Sequence, residues 1–123
     1  MKYILATTLL TIALAPCSAA FAGDAGHGQK VFQEECSDCH SVMTGKNKKG
    51  PSLFNVVGRK SATIADFNYS DAMKAKNIEW SIETIAEYIK APKKSVPGGK
   101  MKYDGLDDAK AREDVVAFLA TLK

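Results

Sequence analysis

Cys36-Ser37-Asp38-Cys39-His40 is the most informative motif of this sequence. Two cysteines separated by two residues and followed at once by a histidine form the C-x-x-C-H pattern, which is the attachment sequence for a c-type haem. The spacing allows the two thiols to add to the two vinyl groups of one porphyrin, with the adjacent His40 imidazole as the proximal ligand of the iron. We therefore predict one haem c, bound covalently through Cys36 and Cys39.

Three other uses of the cysteine pair have less support. A thioredoxin-type C-x-x-C requires a βαβ setting, and the flanking sequence has no strand pattern. A structural zinc site requires four ligands, and beyond the first segment the chain offers two cysteines and two histidines without a second paired spacing. A plain disulfide between Cys36 and Cys39 stays open, although it would leave His40 without a role.

Residues 1–22 have the pattern of a secretory signal. Lys2 is followed by 12 uncharged, largely apolar residues, Ile4 to Ala15, and Ala20-Phe21-Ala22 places small residues at the two positions that signal peptidase recognises. Twelve residues are too few to span a bilayer as a helix, so we expect cleavage after Ala22 rather than a retained anchor. The prediction is a protein exported to the periplasm, with a single domain at residues 23–123.

Length and composition exclude several classes of protein. The chain has 123 residues, of which 46% are hydrophobic and 25% charged, the balance of one ordinary globular domain. Seventeen basic and 14 acidic residues give a formal net charge of only +3, which does not indicate a nucleic-acid binder driven by bulk charge. Three cysteines are too few for a disulfide scaffold. A core this small needs something besides apolar packing to hold it together.

Periodicity and capping residues predict an all-α fold of about four to five short helices joined by long loops. The helices are marked by their end residues: Asp24 to Glu35, Ser70 to Asn77, Ser81 to Pro92, and a last helix that opens at Asp107 or Asp108. Residues 41–61 are predicted to form a long loop, because glycine and proline interrupt them repeatedly. Loops of this length need a cofactor to pack against.

The sixth ligand of the iron has four candidates among the methionines and histidines. Met43 lies three residues after His40, on the same side of the ring, and His27 falls on the first predicted helix, where a surface position is the simpler interpretation. Met73 falls in a short polar helix, and a buried methionine usually serves packing. Met101 lies in a stretch of turn formers that can wrap around a flat cofactor. The residues favour Met101 and leave Met73 open.

Taken together, these residues resemble a class I cytochrome c of the mitochondrial-like branch, and among its members the short periplasmic cytochromes of bacteria. The likeness covers essentially all of residues 23–123. It is carried by Gly28, Phe32, Gly50-Pro51-Ser52-Leu53, Val57-Gly58-Arg59, Phe67-Asn68-Tyr69-Ser70, Trp80, Tyr88, Pro92, Pro97-Gly98, Lys100-Met101 and Ala117-Phe118-Leu119.

The resemblance implies roles around the cofactor. His40 and Met101 would be the axial ligands, and the carbonyl of Pro51 would accept the other imidazole N–H of His40. The hydroxyl of Tyr88 would approach the sulfur of Met101. Buried haem propionates require hydrogen-bond donors, and the resemblance assigns this role to three residues: Arg59, Tyr69 and Trp80.

The resemblance also implies a helix crossing and shows two departures. Gly28 would let the first and last helices cross closely, with Phe32 and Phe118 in aromatic contact. Met73 stands where many relatives have an asparagine near the haem, and Gly99 stands where a threonine hydroxyl usually bonds near a propionate. Both departures remove polar groups, so the reduction potential cannot be transferred from the family.

A haem with two axial protein ligands has no free site for a substrate, which implies one-electron transfer rather than catalysis. We expect a soluble carrier that is not an enzyme and that shuttles electrons between redox partners in a respiratory or photosynthetic chain. One alternative is a peroxidase-like or gas-binding protein in which Met101 is displaced, but such a protein has only His27 to offer as a distal acid–base. Another is a fixed haem subunit of a larger complex.

The lysines predict the kind of partner. Five lysines and no acid occur between Lys90 and Lys102, while acids lie elsewhere, including Asp104 to Asp114. A docking face for acidic redox proteins is therefore predicted, with the membrane oxidoreductase complexes, an oxidase or a reaction centre as partners. Its members include Lys93, Lys94, Lys100 and Lys102. We expect a monomer that does not span the membrane and binds no nucleic acid.

Overall fold

The computed structural model describes residues 23–123, and the signal predicted for residues 1–22 lies outside them. Five helices occupy the described residues: α1 (Ala25–Glu35), α2 (Asp71–Lys76), α3 (Ile82–Lys90), α4 (Pro92–Ser95) and α5 (Ala109–Ala120). The extended pairing within this part of the chain is a single antiparallel bridge between Lys60 and Glu79. The prediction of an all-α fold of four to five short helices with long loops is confirmed.

Side-chain caps explain where the helices begin. Four residues each accept a hydrogen bond from the backbone N–H three positions later: Asp24, Ser70, Ser81 and Asp108. Ser81 and Thr84 complete a capping box at the start of α3. Asn77 ends α2 in the left-handed conformation, with φ of 49°. The predicted starts of α1, α2, α3 and α5 are thereby confirmed to within a residue.

The region around Pro92 contains a helix that the sequence analysis missed. Pro92 was expected to end a helix, and α3 does end at Lys90, but the same proline also begins α4. A proline fits the first position of a helix because the N–H it lacks would have no partner within the helix. The short α4 places Lys93 and Lys94 on an exposed turn just before Met101.

The core lies where α1 crosses α5, with α3 packed beside them. Its buried side chains are Val31, Phe32, Val56, Trp80, Ile85, Val115, Val116 and Leu119. A Cβ at Gly28 would overlap the backbone carbonyl of Asp114, so only glycine fits this crossing. The rings of Phe32 and Phe118 lie 5.6 Å apart at a tilt of 54°. Both features agree with what the resemblance implied.

A buried carboxylate joins the two crossing helices. The side chain of Asp114 is 2% exposed, and it accepts hydrogen bonds from the Asp24 N–H and from Nδ1 of His27, each at 2.7 Å, and from Nζ of Lys110. The bond from Lys110, followed by that from Asp24, lowers the pKa of Asp114 to about 2. His27 is half exposed, as expected, but its pairing with Asp114 was not predicted.

Candidate cofactor site

The motif of residues 36–40 forms a tight turn directly after α1. The backbone N–H groups of Cys39 and His40 both donate to the carbonyl of Cys36, at 3.1 and 2.9 Å. Cys36 is half-buried and Cys39 is exposed, and both are free thiols. Burial, with a smaller effect of the Glu35 charge, raises the pKa of Cys36 to about 12, so that its sulfur stays protonated at neutral pH.

The orientation of His40 is set by the loop that follows the motif. Nδ1 of His40 lies 2.8 Å from the carbonyl oxygen of Pro51. A carbonyl only accepts hydrogen bonds, so Nδ1 carries the proton, and Nε2 of the neutral ring holds a free lone pair. Burial lowers the pKa of His40, which favours that neutral form. Gly50 leaves room for the ring, since a Cβ there would lie 2.7 Å from Nδ1 and 2.9 Å from Nε2.

Hydrogen bonds within the loop hold Pro51 in place. The next residue, Ser52, is 2% exposed. Its hydroxyl donates to the carbonyl of Met43 at 2.6 Å, and its backbone N–H donates to Oδ1 of Asn47 at 2.9 Å. These bonds fix the loop without regular secondary structure, and they give His40 a firmly positioned hydrogen-bond partner.

Arg59, Trp80 and Tyr88 lie side by side. The backbone N–H of Trp80 donates to the backbone carbonyl of Arg59 at 2.8 Å, and the ring of Trp80 lies 5.2 Å from that of Tyr88. Trp80 is buried and Tyr88 is half-buried. Burial raises the pKa of Tyr88, so its hydroxyl keeps its proton and can donate. The structure therefore brings together three of the residues that the resemblance singled out.

Arg59 and Tyr69 have hydrogen-bond donors to spare. The Arg59 guanidinium donates to the carbonyls of Ser52 and Phe54, at 2.9 and 3.2 Å, which uses two of its five N–H bonds. Burial lowers the pKa of Arg59. The oxygen of Tyr69 accepts the backbone N–H of Ile64 at 3.3 Å, which leaves its own O–H to donate elsewhere. Such donors are what buried carboxylates require.

Met101 is half-buried in residues 96–108, which join α4 to α5 without a helix of their own and are called the Met101 segment below. Lys100, within this segment, donates from Nζ to the carbonyl of Asn68 at 3.0 Å. The hydroxyl of Tyr103 donates to Oε2 of Glu35 at 2.7 Å. Glu35 is the last residue of α1 and the neighbour of Cys36, so the Met101 segment lies beside the cysteine motif.

The other ligand candidates have different surroundings. Met73 is half-buried and packs against the core, as expected of a methionine used for packing. Met43 is 59% exposed, and His27 is paired with Asp114. Within residues 23–123, no group of three or more His, Cys, Asp or Glu side chains is arranged to hold a metal ion.

Exposed lysines border the site, and one of them, Lys93, is paired with an acid that was predicted to lie elsewhere. Nζ of Lys48 donates to the carbonyl of Ser37, within the cysteine motif. Lys93 forms an ion pair with Asp104 at 2.5 Å, and this pairing lowers the pKa of Asp104. Asp104 was predicted to lie apart from the lysines, but the Met101 segment brings it to Lys93 of α4. The lysine surface therefore contains an acid.

The donor set fits a c-type haem. Two free thiols, an imidazole with a free Nε2, and unused donors on Arg59 and Tyr69 are the groups that such a cofactor requires of its protein. A small all-α fold that presents a C-x-x-C-H turn with these groups defines a haem protein of the c type. The comparisons with known proteins make this class more specific.

The profile of the cytochrome c family matches residues 25–123. Cytochrome c of Cochliobolus lunatus is 44% identical over 98 residues, which are 79% of this chain and 91% of that protein. Cytochrome c2 of Rhodopila globiformis is 44% identical over 101 residues, which are 82% of this chain and 95% of that protein. Among solved structures, cytochrome cH from Methylobacterium extorquens superimposes with a TM-score of 0.75 at 40% identity, covering 80% of this chain and 99% of that one.

The chain belongs to the cytochrome c family, as a class I cytochrome c. Its cofactor is a covalently attached c-type haem, and it is an electron carrier that acts with redox partners. The resemblance drawn from the motif and its surroundings is confirmed. None of the helices at residues 23–123 has the length and apolar character needed to cross a membrane.

Proposed function

We propose that the protein is a diffusible one-electron carrier of the periplasm, whose haem is attached through Cys36 and Cys39 and ligated by His40 and Met101. The observation that carries this proposal is the turn after α1, with its two free thiols and an imidazole whose Nδ1–H donates to Pro51. When bound, the haem supplies a reversible one-electron change at its iron. With both axial residues in place no position is left for a substrate, so we infer that the protein is not an enzyme.

The surrounding residues tune and enclose this site. The bond from His40 to Pro51 fixes the ring orientation and makes the imidazole a stronger ligand. The thioether of Met101 favours the reduced iron. Tyr88 is proposed to donate towards that sulfur. The donors proposed for the propionates are Arg59, Tyr69 and Trp80, and the unused N–H and O–H bonds of Arg59 and Tyr69 support this role.

We infer that residues 1–22 are removed on export and that the mature protein begins at Gly23. The support is the sequence pattern: a basic start, a short apolar run, and small residues ahead of the cleavage point. An intact mass of the purified protein tests export and attachment together. We expect the mass of residues 23–123 plus one haem. A mass equal to the bare polypeptide, or thiols that alkylate freely, would contradict the attachment.

The proposed docking surface faces acidic partners. Lys94, Lys100 and Lys102 are exposed, and Lys48 donates to the carbonyl of Ser37 inside the cysteine motif. Asp104 offsets the charge of Lys93, so Lys94, Lys100 and Lys102 are expected to contribute most of the attraction. Partners of a carrier must also dissociate, and exposed charges give a fast, salt-sensitive encounter of that kind.

Two alanine variants test the ligation. Met101→Ala should abolish the sulfur-to-iron absorption band near the red end of the spectrum, lower the reduction potential, and let carbon monoxide bind the reduced protein. Met73→Ala is the matched control and should keep the band. If the band survived in Met101→Ala and vanished in Met73→Ala, the assignment of the sixth ligand would be reversed.

Charge reversal tests the docking surface. Changing Lys94, Lys100 and Lys102 to Glu should slow the oxidation of the reduced protein by ferricyanide, an anionic probe, and should weaken the dependence of that rate on ionic strength. Lys30 and Lys123 are the controls, since both are exposed and the cleft that Lys30 lines with His27 and Asp114 includes no residue of α4 or of the Met101 segment. Equal slowing by reversals at the control positions would show that only net charge matters.

A further inference from the structure

The Met101 segment depends on its neighbours for its position. Between Met101 and Asp108 it has no helix or strand of its own. At its C-terminal end the N–H of Leu106 donates to the carbonyl of Ile89 at 2.9 Å. Gly105 fits closely there, since a Cβ at that position would overlap the carbonyl of Lys90. These contacts attach the end of the segment to α3, several residues away from Met101.

A second attachment lies much closer to Met101 and crosses to a different helix. The hydroxyl of Tyr103 donates to Oε2 of Glu35 at 2.7 Å, across 68 positions of sequence. Tyr103 is half-buried, whereas Glu35 is exposed at the end of α1, next to Cys36. A carboxylate acceptor makes this bond charge-assisted, and such bonds are stronger than those between neutral groups.

We propose that Tyr103 and Glu35 form a latch that holds the Met101 segment against the end of α1 and so limits how often Met101 leaves the iron. The second half of this proposal rests on the ligation given under Proposed function. Tyr103 stands two residues after Met101, and two residues of chain reach at most about 7 Å. Fixing the Tyr103 ring therefore restricts the excursions open to Met101. Tyr103 and Glu35 are positioning residues, since they act through Met101.

The latch is distinct from the other attachments of the segment. The ion pair of Lys93 with Asp104 joins two exposed side chains, and Lys100 reaches the carbonyl of Asn68 from an exposed position. Exposed pairs of this kind contribute little to stability. The hydrogen bond of the latch is also exposed, but its Tyr103 ring is half-buried, and it joins the segment to α1, which the other two contacts do not.

Conservative variants of the holoprotein test the latch. Tyr103→Phe keeps the ring and removes the hydroxyl, while Glu35→Gln keeps the shape of the acceptor and removes its charge. Glu34→Gln removes the same charge from the neighbouring position and is the matched control. Imidazole at saturating concentration binds the oxidised iron only after Met101 departs, so its binding rate reports that departure. We expect Tyr103→Phe, which removes the hydrogen bond, to bind imidazole about fivefold faster than wild type, which is the effect of one hydrogen bond. Glu35→Gln keeps a neutral acceptor and loses only the charge assistance, so its rate should lie between those of wild type and Tyr103→Phe.

The double variant and a second measurement separate the outcomes. Because both changes act on the same hydrogen bond, Tyr103→Phe/Glu35→Gln should be no faster than Tyr103→Phe alone. Imidazole rates equal to wild type in both single variants, or a Glu34→Gln protein as fast as Glu35→Gln, would overturn the latch. Hydrogen exchange of the amides at residues 99–105 should also be faster in the latch variants than in Glu34→Gln.

The exchange measurement also distinguishes the latch from the ligation. If wild type lacks the sulfur-to-iron band, the proposed ligation fails and so does the effect on Met101 departure. Faster amide exchange in Tyr103→Phe and Glu35→Gln would still support the contact that holds the segment. Unchanged exchange would overturn that contact, whatever the sixth ligand is.

Discussion

Replacing Gly28 by alanine tests whether close contact between α1 and α5 holds the fold together. A Cβ at Gly28 would overlap the carbonyl of Asp114 and lie 2.9 Å from the amide nitrogen of Val115, whereas ordinary contact begins at 3.4 Å. These atoms are backbone, so the helices must separate. Overpacking of this kind costs about 1–3 kcal/mol. Separation of the helices also weakens the contact between Phe32 and Phe118, and an aromatic pair of this kind contributes about 0.5–1.5 kcal/mol.

Helix propensity offsets part of that cost, because alanine is favoured over glycine by about 1 kcal/mol. The net loss in the free energy of unfolding is therefore about 2 kcal/mol. Gly26→Ala is the matched control in the same helix, since its Cβ would meet only Oδ1 of Asp24, at 3.3 Å. Guanidinium unfolding of the holoprotein, followed by circular dichroism, measures both variants. A Gly28→Ala protein as stable as Gly26→Ala would show that the crossing of α1 and α5 tolerates a side chain at residue 28.

Three further predictions concern acid stability, the support of His40 and a helix cap. The pKa of Asp114 is lowered from an ordinary value of 3.8 to about 2, so the stability from its charge is present above the ordinary value and is lost as the pH falls towards 2. Asp114→Asn should thus flatten the fall in unfolding free energy over that pH range, whereas Asp71→Asn, at an exposed carboxylate, should not. Gly50→Ala should push the His40 ring away from the carbonyl of Pro51. The imidazole then donates less charge to the iron, so the reduction potential should rise. An unchanged potential would contradict the close contact between Gly50 and the His40 ring. Ser81→Ala removes the capping box of α3 and should lower the free energy of unfolding by about 1 kcal/mol in the same assay. A change near zero would show that the cap does not stabilise the fold.

The helices were predictable because their signals are local. Ser70, Ser81 and Asp108 each stand at the start of an apolar or helical run, and each accepts the hydrogen bond expected of an N-cap. The haem motif was equally local, since five consecutive residues carry it. Pro92 shows the limit of such signals, because a proline can end one helix or begin another. Here the chain uses the same residue at the junction of both.

The long-range polar contacts could not be predicted from the sequence. The hydrogen bond from Tyr103 to Glu35 joins residues 68 positions apart, and the pair of His27 and Asp114 joins residues 87 positions apart. Periodicity and spacing describe what a segment does by itself, and neither indicates which polar side chains meet once the segments pack. For the same reason Asp104 was assigned to the acidic part of the sequence rather than to the lysine surface.

Under the proposed ligation, the two axial residues have supports of unequal strength. His40 lies in the turn that follows α1, its backbone N–H donates to the carbonyl of Cys36, and its ring donates to the carbonyl of Pro51. Met101 stands in a segment without helix or strand, and the hydrogen bond of that segment to α1 is made by Tyr103, two residues further on. Because local opening begins in segments with few buried contacts and no regular hydrogen bonding, the Met101 segment should open while the α1–α5 crossing remains intact. Heat, denaturant or a competing ligand should therefore release Met101 first, so that a form ligated by His40 alone precedes unfolding of the whole domain.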